Sequence, residues 1–246
     1  MEYFTNINGI DVSAVFRDET VSELFVPLLK QLAELHMEKR QRILVMLAAP
    51  PGAGKSTLAS FLENLSKEII PEKTLQAVGM DGFHLRQDYL LSHTAVVNGE
   101  EVSLVKIKGA PITFDLERLT RKTEELRTQQ VCKWPRYDRL LHNPVEDAVS
   151  VDADIVIVEG NYLLLDEEGW RNLSLFADYT ISLTAGEELL RERVISRRIA
   201  TGVKREDAEA FVDFSDMANV RLCIKKMKPA ELQLEILNDN DIIRRA

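Results

Sequence analysis

Cysteine is scarce in this chain, and long apolar runs are missing. The two cysteines, Cys132 and Cys223, lie far apart and lack the spacing of metal ligands, which fits a protein of the reducing cytoplasm. No apolar run comes near 18 residues and the N-terminus does not resemble a signal peptide, so we expect no membrane span. The 246 residues, 45% of them hydrophobic, are enough for one large α/β domain with small additions.

Positive charge is also in deficit. The chain carries 31 Lys and Arg against 40 Asp and Glu, a formal net charge of −9 at pH 7. This imbalance argues against a nucleic-acid partner. It is compatible with an anionic ligand such as ATP, because a binding loop and a lid can supply positive charge locally.

The stretch LAAPPGAGKSTL, residues 47–58, matches the phosphate-binding pattern G-x-x-x-x-G-K-[ST] except at its first position, where Ala49 stands for Gly. Pro50 and Pro51 donate no N–H, so the phosphate cradle has to come from Gly52 onward. Lys55 would reach the β- and γ-phosphates of ATP, and Ser56 would hold Mg²⁺. The residues expected at the nucleotide are Pro51, Gly52, Ala53, Gly54, Lys55, Ser56 and Thr57.

The flanking sequence supports this interpretation over an ordinary turn. The apolar run from Arg42 to Ala49 predicts a buried parallel strand, and Lys55 to Leu65 has the spacing of an amphipathic helix. Strand, glycine-rich loop and helix in this order are the arrangement that a phosphate-binding loop requires.

Two acids end predicted strands. Asp81 closes the strand from Thr74 to Asp81, where it could accept the proton of an attacking hydroxyl; the alternative is a simple Asp-Gly turn. Glu159 follows the apolar run DIVIVEG, in the Walker B position of an acid that acts on Mg²⁺; the alternative is a solvated acid at a strand end.

An arginine-rich helix is predicted from Gly186 to Ala200. Arg193 and Arg197 lie four residues apart, as in a lid that closes over ATP phosphates. The same arginines could instead pair with neighbouring glutamates on a solvated helix face.

A polar, aromatic and Pro-marked segment from Trp134 to Asp147 precedes the Glu159 strand. Its Tyr137, Arg139 and His142 could contact the phosphate acceptor or pack locally. The same two possibilities hold for His84, beside Asp81.

The remaining pattern alternates strands and helices, which predicts a mostly parallel sheet with helices on both faces and ligands at the carboxyl ends of its strands. Turns are expected at Asn8-Gly9 and Asn98-Gly99. Further predicted elements are a hairpin over Tyr3–Phe16, helices over Glu19–Met37, Leu116–Arg127 (capped by Asp115) and Asp207–Met227, and strands over Asp178–Leu183 and Glu231–Leu237.

Taken together, APPGAGKST, MDGFH, KGAPITFD, PRYDR and VEGNYLLL, followed by the arginine-rich helix, resemble the phosphoribulokinase/uridine kinase family of P-loop kinases. The resemblance covers Arg42 to Thr201 and is strongest to the branch of type I pantothenate kinases and fructose transport kinase-like proteins. It implies a single three-layer α/β/α P-loop kinase domain over 1–246, with a hairpin and helix extension at 1–40, a core at 42–201 and a lid region at 186–205.

By motif position the resemblance implies ATP and Mg²⁺ as cofactors and transfer of phosphate to a hydroxyl. Lys55 and Ser56 then serve nucleotide and metal, Asp81 is the catalytic base, Glu159 is the Walker B acid, and Arg193 and Arg197 are lid residues. Many members of the family form homodimers, although no sequence feature here demands one.

The acceptor is left open, as a sugar-like metabolite, pantothenate or a nucleoside. Tyr137 matches a Tyr near the acceptor of pantothenate kinases, but Arg139 stands where that pattern has His. A cation there suits a substrate that already bears a carboxylate or phosphate. A non-catalytic nucleotide-dependent regulator would not need Asp81. A nucleotide kinase would need several cations at the acceptor, for which Arg86, Lys106, Lys108 and Arg139 are candidates.

Overall fold

The structure is a computed structural model that describes residues 1–7, 9–139 and 141–245. Within them the strands are β1 (Glu2–Ile7), β2 (Ile10–Val15), β3 (Ile43–Ala48), β4 (Leu75–Gly79), β5 (Thr94–Val97), β6 (Glu100–Ser103), β7 (Cys132–Asp138), β8 (Asn143–Val151), β9 (Ile155–Gly160), β10 (Tyr179–Ala185), β11 (Leu232–Ile236) and β12 (Ile242–Arg244). The α-helices of six residues or more are α1 (Val26–Lys39), α2 (Lys55–Ile69), α3 (Gln87–Ser92), α4 (Leu116–Thr128), α5 (Glu187–Ala200), α6 (Arg205–Phe211) and α7 (Met217–Lys226).

Six of these strands form the central sheet, in the order β12-β11-β10-β3-β9-β4. Every neighbouring pair is parallel except β11 with β12. All six residues of β3 are buried, as a strand covered on both faces requires. The carboxyl ends of β3, β4 and β9 therefore meet at one edge of the sheet, where ligands of such folds bind.

Two apolar layers enclose this sheet. Along β3, Ile43, Val45 and Leu47 face a core built with α1, α2 and α5. Leu44, Met46 and Ala48 face the other layer, which contains α4 and the buried Trp134. Because successive side chains of a strand point to opposite faces, one short strand supplies both cores. The predicted three-layer α/β/α fold with a mostly parallel sheet is confirmed.

The N-terminal extension is the predicted hairpin and helix. β1 and β2 pair antiparallel, and the Phe16 ring stacks on Phe61 of α2 with centroids 4.0 Å apart. Asn8, in the predicted turn, lies outside the described residues. Helix α1 is preceded by a helical turn at Asp18–Thr20 and a π-helical segment at Val21–Phe25.

The segment from Trp134 to Asp147, for which the sequence predicted no strand, is part of an antiparallel hairpin formed by β7 and β8. Trp134 and Tyr137 are buried, which gives the strand an inner face that its polar composition concealed. Pro135 lacks an N–H for the ladder, and the register shifts at this point, between Trp134 and Arg136.

Three smaller boundaries also differ from the predictions. The strand expected to end at Asp81 ends at Gly79, and a 3₁₀ turn follows at Met80–Phe83. The helix expected over Asp207–Met227 is divided into α6 and α7 by a π-helical segment. The short edge strand β12 was not predicted. As expected, Asn98-Gly99 connects a small hairpin, β5–β6, outside the main sheet.

No helix in the described ranges is both long and apolar enough to cross a membrane.

Candidate active site

The loop between β3 and α2 has the backbone of a phosphate cradle. Gly52 and Gly54 adopt φ angles of 83° and 77°, a region that side chains with a Cβ rarely occupy. A Cβ on Gly52 would also lie 2.9 Å from the Leu190 carbonyl oxygen of α5. The glycines therefore allow both the tight curl of the loop and the close approach of α5. Successive N–H groups at the start of α2 are then available to an anion.

Ser56, in the first turn of α2, is joined to the end of β9. Its hydroxyl donates a hydrogen bond of 2.7 Å to Oε1 of Glu159. In the part of the chain that the structure describes, no group of three His, Cys, Asp or Glu side chains could hold a metal ion unaided. A hydroxyl and one carboxylate fit Mg²⁺ well, because this ion usually keeps several waters and takes its remaining ligands from substrate phosphates.

Asp81 lies in the 3₁₀ turn just after β4, beside these residues. Ser56, Asp81 and Glu159 line the same cleft, which has a volume of about 510 Å³. The half-buried Lys55 is near enough for its charge to lower the pKa of both carboxyl groups. The structure thus brings together four of the residues predicted for phosphoryl transfer.

The two acids of this cleft have pKa values displaced in opposite directions. Burial by itself would raise the pKa of Asp81, but neighbouring cations outweigh it and hold that pKa below its ordinary value. The largest lowering effect on this pKa comes from the charge of protonated His84, followed by those of Lys55, Arg139 and Arg197. Burial raises the pKa of Glu159, and the charge of Asp81 raises it further. Asp81 is therefore an ionised carboxylate at neutral pH, able to accept a proton.

The β7–β8 hairpin forms a wall of the cleft and contributes Tyr137 and Arg139. Tyr137 is 8% exposed, and burial raises its pKa to about 12, so its hydroxyl stays protonated. The Nε atom of Arg139 is buried and lacks a hydrogen-bond partner. A buried guanidinium N–H that lacks a partner is costly.

Arg197 of α5 adds a second cation close to Arg139. Its pKa is lowered by the surrounding protein and then by the charge of Arg139, while Asp81 acts in the opposite direction. Water still reaches the Arg197 side chain. Asp216 acts on the pKa of Arg197 in the same direction as Asp81, and more strongly. Two neighbouring cations favour an anion beside them, such as a phosphoryl group.

His84 and His142 do not line the cleft. His84 stacks on Phe114 with centroids 4.0 Å apart, and burial lowers its pKa to about 4, so it supports the Asp81 turn as a neutral ring. His142 is exposed beside the hairpin turn, where its carbonyl oxygen accepts a hydrogen bond from Lys108. The β7–β8 pairing therefore leaves His142 outside the lining of the cleft that contains Asp81.

A second cleft, of about 580 Å³, opens on the other side of the loop. Gly52, Gly54 and Thr57 line it together with Arg193. The Arg193 guanidinium donates to the Gly52 carbonyl at 3.3 Å and to Oδ1 of Asn240 at 2.7 Å. α5 is held in place by its buried Leu190, Val194 and Ile195, so Arg193 is fixed above the loop. Ala53 is buried and also lines this cleft, whereas the buried Pro51 does not.

Several cleft residues were not anticipated from the sequence. Asn6, Ile7 and Gly9 of the N-terminal hairpin line the first cleft, and Asn240 and its neighbours line the second. Neither set carries a motif. One sequence feature could have suggested Asn240: its loop follows β11 and so lies at the carboxyl end of a parallel strand.

Comparison with known proteins agrees with this geometry. Residues 44–243 match the model of the Phosphoribulokinase / Uridine kinase family. The uncharacterized protein YggC of Escherichia coli (strain K12) is 40% identical over 240 residues, which are 97% of each chain. The pantothenate kinase of Ligilactobacillus salivarius (strain UCC118) is 26% identical over 216 residues, 80% of this chain and 67% of that protein.

A crystal structure from Silicibacter sp. TM1040 is similar in both fold and sequence. It superposes with a TM-score of 0.76 at 32% identity, over 85% of this chain and 98% of that chain. That protein bears a provisional name, fructose transport system kinase. With the family model matching most of its length, the chain belongs to the phosphoribulokinase/uridine kinase family of P-loop kinases, a family that implies the use of ATP and usually Mg²⁺.

Proposed function

We propose that the protein is a kinase that transfers the γ-phosphate of ATP to a hydroxyl group of a small, sugar-like metabolite. The observation that carries this proposal is the convergence of an ionised Asp81 with Ser56 and Glu159 on one cleft. The nucleotide would enter from the second cleft, on the Arg193 side of the loop. Donor and acceptor then approach the same point from opposite sides, as direct phosphoryl transfer requires.

Each residue has a role that follows from its position. The backbone from Gly52 to Thr57 and the ammonium of Lys55 hold the phosphates, and Arg193 orients the nucleotide. Ser56 and Glu159 would bind Mg²⁺, which neutralises phosphate charge when present. Asp81 orients the acceptor hydroxyl and accepts its proton as the oxygen bonds to phosphorus. Arg197 stabilises the charge on the transferring group.

The acceptor class is inferred from the cleft and its relatives. Polar and apolar residues share the lining, and Arg139 brings to it a guanidinium that would pair with a carboxylate, a phosphate or a sugar oxygen. A fructose transport system kinase, as its provisional name has it, is among the similar structures. Pantothenate kinases are also relatives, but Arg139 replaces the His of their motif, and this favours a sugar-like acceptor over pantothenate.

The test is release of ADP from Mg·ATP in the presence of candidate acceptors. The panel contains fructose and other ketoses, pentoses, glycerate, pantothenate, and purine and pyrimidine nucleosides. We expect one class to raise ADP release well above the rate with ATP alone. A nucleotide-dependent regulator would bind ATP yet give no acceptor-dependent turnover.

Asp81→Asn separates catalysis from binding. Loss of a general base usually costs about 10²–10⁴ in rate. We expect that loss in kcat, with no rise in the KM for ATP, because the change removes a negative charge beside the phosphates. Asp88→Asn is the matched control, since Asp88 is a surface acid whose side chain is 80% exposed. Acceptor-dependent turnover that survives unchanged in Asp81→Asn would exclude Asp81 as the base.

A further inference from the structure

The N-terminal hairpin lies outside the part of the chain that matches the family model, which begins at residue 44. Its tip nevertheless reaches the acceptor side of the site. Asn6, Ile7 and Gly9 line the same cleft as Asp81 and Glu159. A segment beyond the shared kinase core therefore borders the place where the acceptor would bind.

The inner face of β1 is attached to the helix that carries Ser56. Tyr3 and Ser60 share a hydrogen bond of 2.7 Å between their hydroxyls, and the Tyr3 ring packs edge-on against Phe61 at 5.3 Å. Ser60 is one helical turn beyond Ser56 on α2. Because side chains alternate along a strand, Ile7 points to the same side of β1 as Tyr3, whereas Phe4 points away and is 71% exposed.

The base of the hairpin has a second attachment, at the far end of the sheet. The Arg17 guanidinium contacts Asp239 at 2.6 Å and Asp241 at 3.1 Å. Phe16 is buried between Phe25 and Phe61. The hairpin is therefore anchored at its base, on α2 and on the loop after β11, and its tip extends from there to the cleft that contains Ser56.

Among the described tip residues, Ile7 is the one whose side chain is left for a ligand. The Asn6 side chain is used within the turn, donating to Asp11 at 2.7 Å and accepting from the Gly9 N–H at 2.9 Å. Ile7 is partly buried and has no polar atom in its side chain. The same cleft is lined by the charged Glu63, Arg136 and Arg139 and by apolar residues such as Val78 and Val149.

We propose that Ile7 is a specificity-determining residue that closes the acceptor cleft and limits the size of the acceptor. This inference rests on the proposed kinase function. Polar groups around Asp81 and Arg139 would bind the hydroxyl and oxygen atoms of the acceptor, while Ile7 contacts its C–H surface. An acceptor with both polar and C–H surface, such as a sugar or a short polyhydroxy acid, contacts the polar groups and Ile7 at the same time.

The experiment compares Ile7→Ala and Ile7→Phe with the control Phe4→Ala, which changes the opposite face of the same strand. For each variant, kcat/KM is measured with glycerate, ribose, fructose and pantothenate, and KM is measured for ATP. Thermal unfolding of each variant shows whether the fold is retained.

We expect Ile7→Ala to lower kcat/KM for the best acceptor about tenfold, mainly through KM, and to favour larger acceptors relative to smaller ones. Ile7→Phe should shift the preference toward smaller acceptors. Phe4→Ala should match the wild type, and the KM for ATP should stay within about twofold in all three variants.

Two failures are distinguishable. In the first case, the wild type turns over an acceptor, and both Ile7 variants show the same ratios of kcat/KM among the four compounds as the wild type. This result overturns the inference about Ile7 alone. If the wild type shows no acceptor-dependent turnover at all, the proposed function and the inference fall together.

Discussion

Gly82 is the point where the Asp81 turn touches the β7–β8 hairpin, and Gly82→Ala tests that contact. A Cβ on Gly82 would lie 2.3 Å from the carbonyl oxygen of Pro135 and 2.5 Å from its carbonyl carbon. Cβ contacts under 3.0 Å are essentially never seen. Both partners are backbone, so no side chain can rotate away. The turn and the hairpin would have to separate by about 0.7 Å, which is the shortfall in the closer contact.

The expected cost follows from this shift. Overpacking of a buried contact costs about 1–3 kcal/mol, which for a chain of this size lowers Tm by roughly 3–10 °C. Tyr137 on the same strand and Arg139 in the turn just after it would move away from Asp81. Because misplacement by about 1 Å can cost 10²-fold in rate, we expect kcat/KM for the acceptor to fall by one to two orders of magnitude.

Thermal unfolding by circular dichroism and ADP release measure the two effects. Gly186→Ala is the matched control, because Gly186 has an ordinary φ of −59° and a Cβ there meets nothing within 4 Å. If Gly82→Ala unfolds within about 1 °C of Gly186→Ala and keeps wild-type kcat/KM, then the hairpin does not rest on the Asp81 turn as closely as this geometry requires.

Three further predictions concern the nucleotide site and its support. Ser56→Ala should raise the Mg²⁺ concentration needed for half-maximal rate about tenfold, measured by titration at fixed ATP, since Glu159 would be left as the only protein ligand. Arg193→Gln should raise the KM for ATP about tenfold while the acceptor KM changes little, because its contacts are with Gly52 and Asn240. His84 has a folded pKa of about 4 against 6.5 in the unfolded chain, so the unfolded state takes up the proton first as pH falls. Stability should drop by about 2 kcal/mol between pH 7.5 and 5, and His84→Gln should flatten that slope in urea titrations at the two pH values.

The phosphate-binding half of the site was predictable because its chemistry is local. Gly52, Gly54, Lys55 and Ser56 are consecutive or nearly so, and their spacing imposes the loop backbone on any sheet that supplies a preceding strand. Glu159 was predictable for a related reason, since an apolar run that ends in an acid places that acid at the carboxyl end of a parallel strand. The pairing of Ser56 with Glu159 at 2.7 Å follows once β3 and β9 are neighbours.

The acceptor side was harder to predict because its residues come from distant segments with weak local patterns. The β7 strand alternates polar and aromatic residues and contains Pro135, so its composition did not predict a strand. Burial of Trp134, whose indole N–H donates to the Gly79 carbonyl at 2.9 Å, gives the strand an inner face. For the same reason the sequence could not show on which side of the hairpin His142 lies.

Order along the chain was enough to establish a parallel α/β sheet, a phosphate-binding loop and an acid at the end of each neighbouring strand, because these depend on periodicity and on short spacings. The tertiary structure alone decided which side chains meet across the cleft. Ile7 and Arg139 are 132 positions apart and share no motif, yet both line one cleft with Asp81. Such contacts arise from the packing of the two hairpins against α2 and β4, and no pattern within either segment encodes where the other will lie.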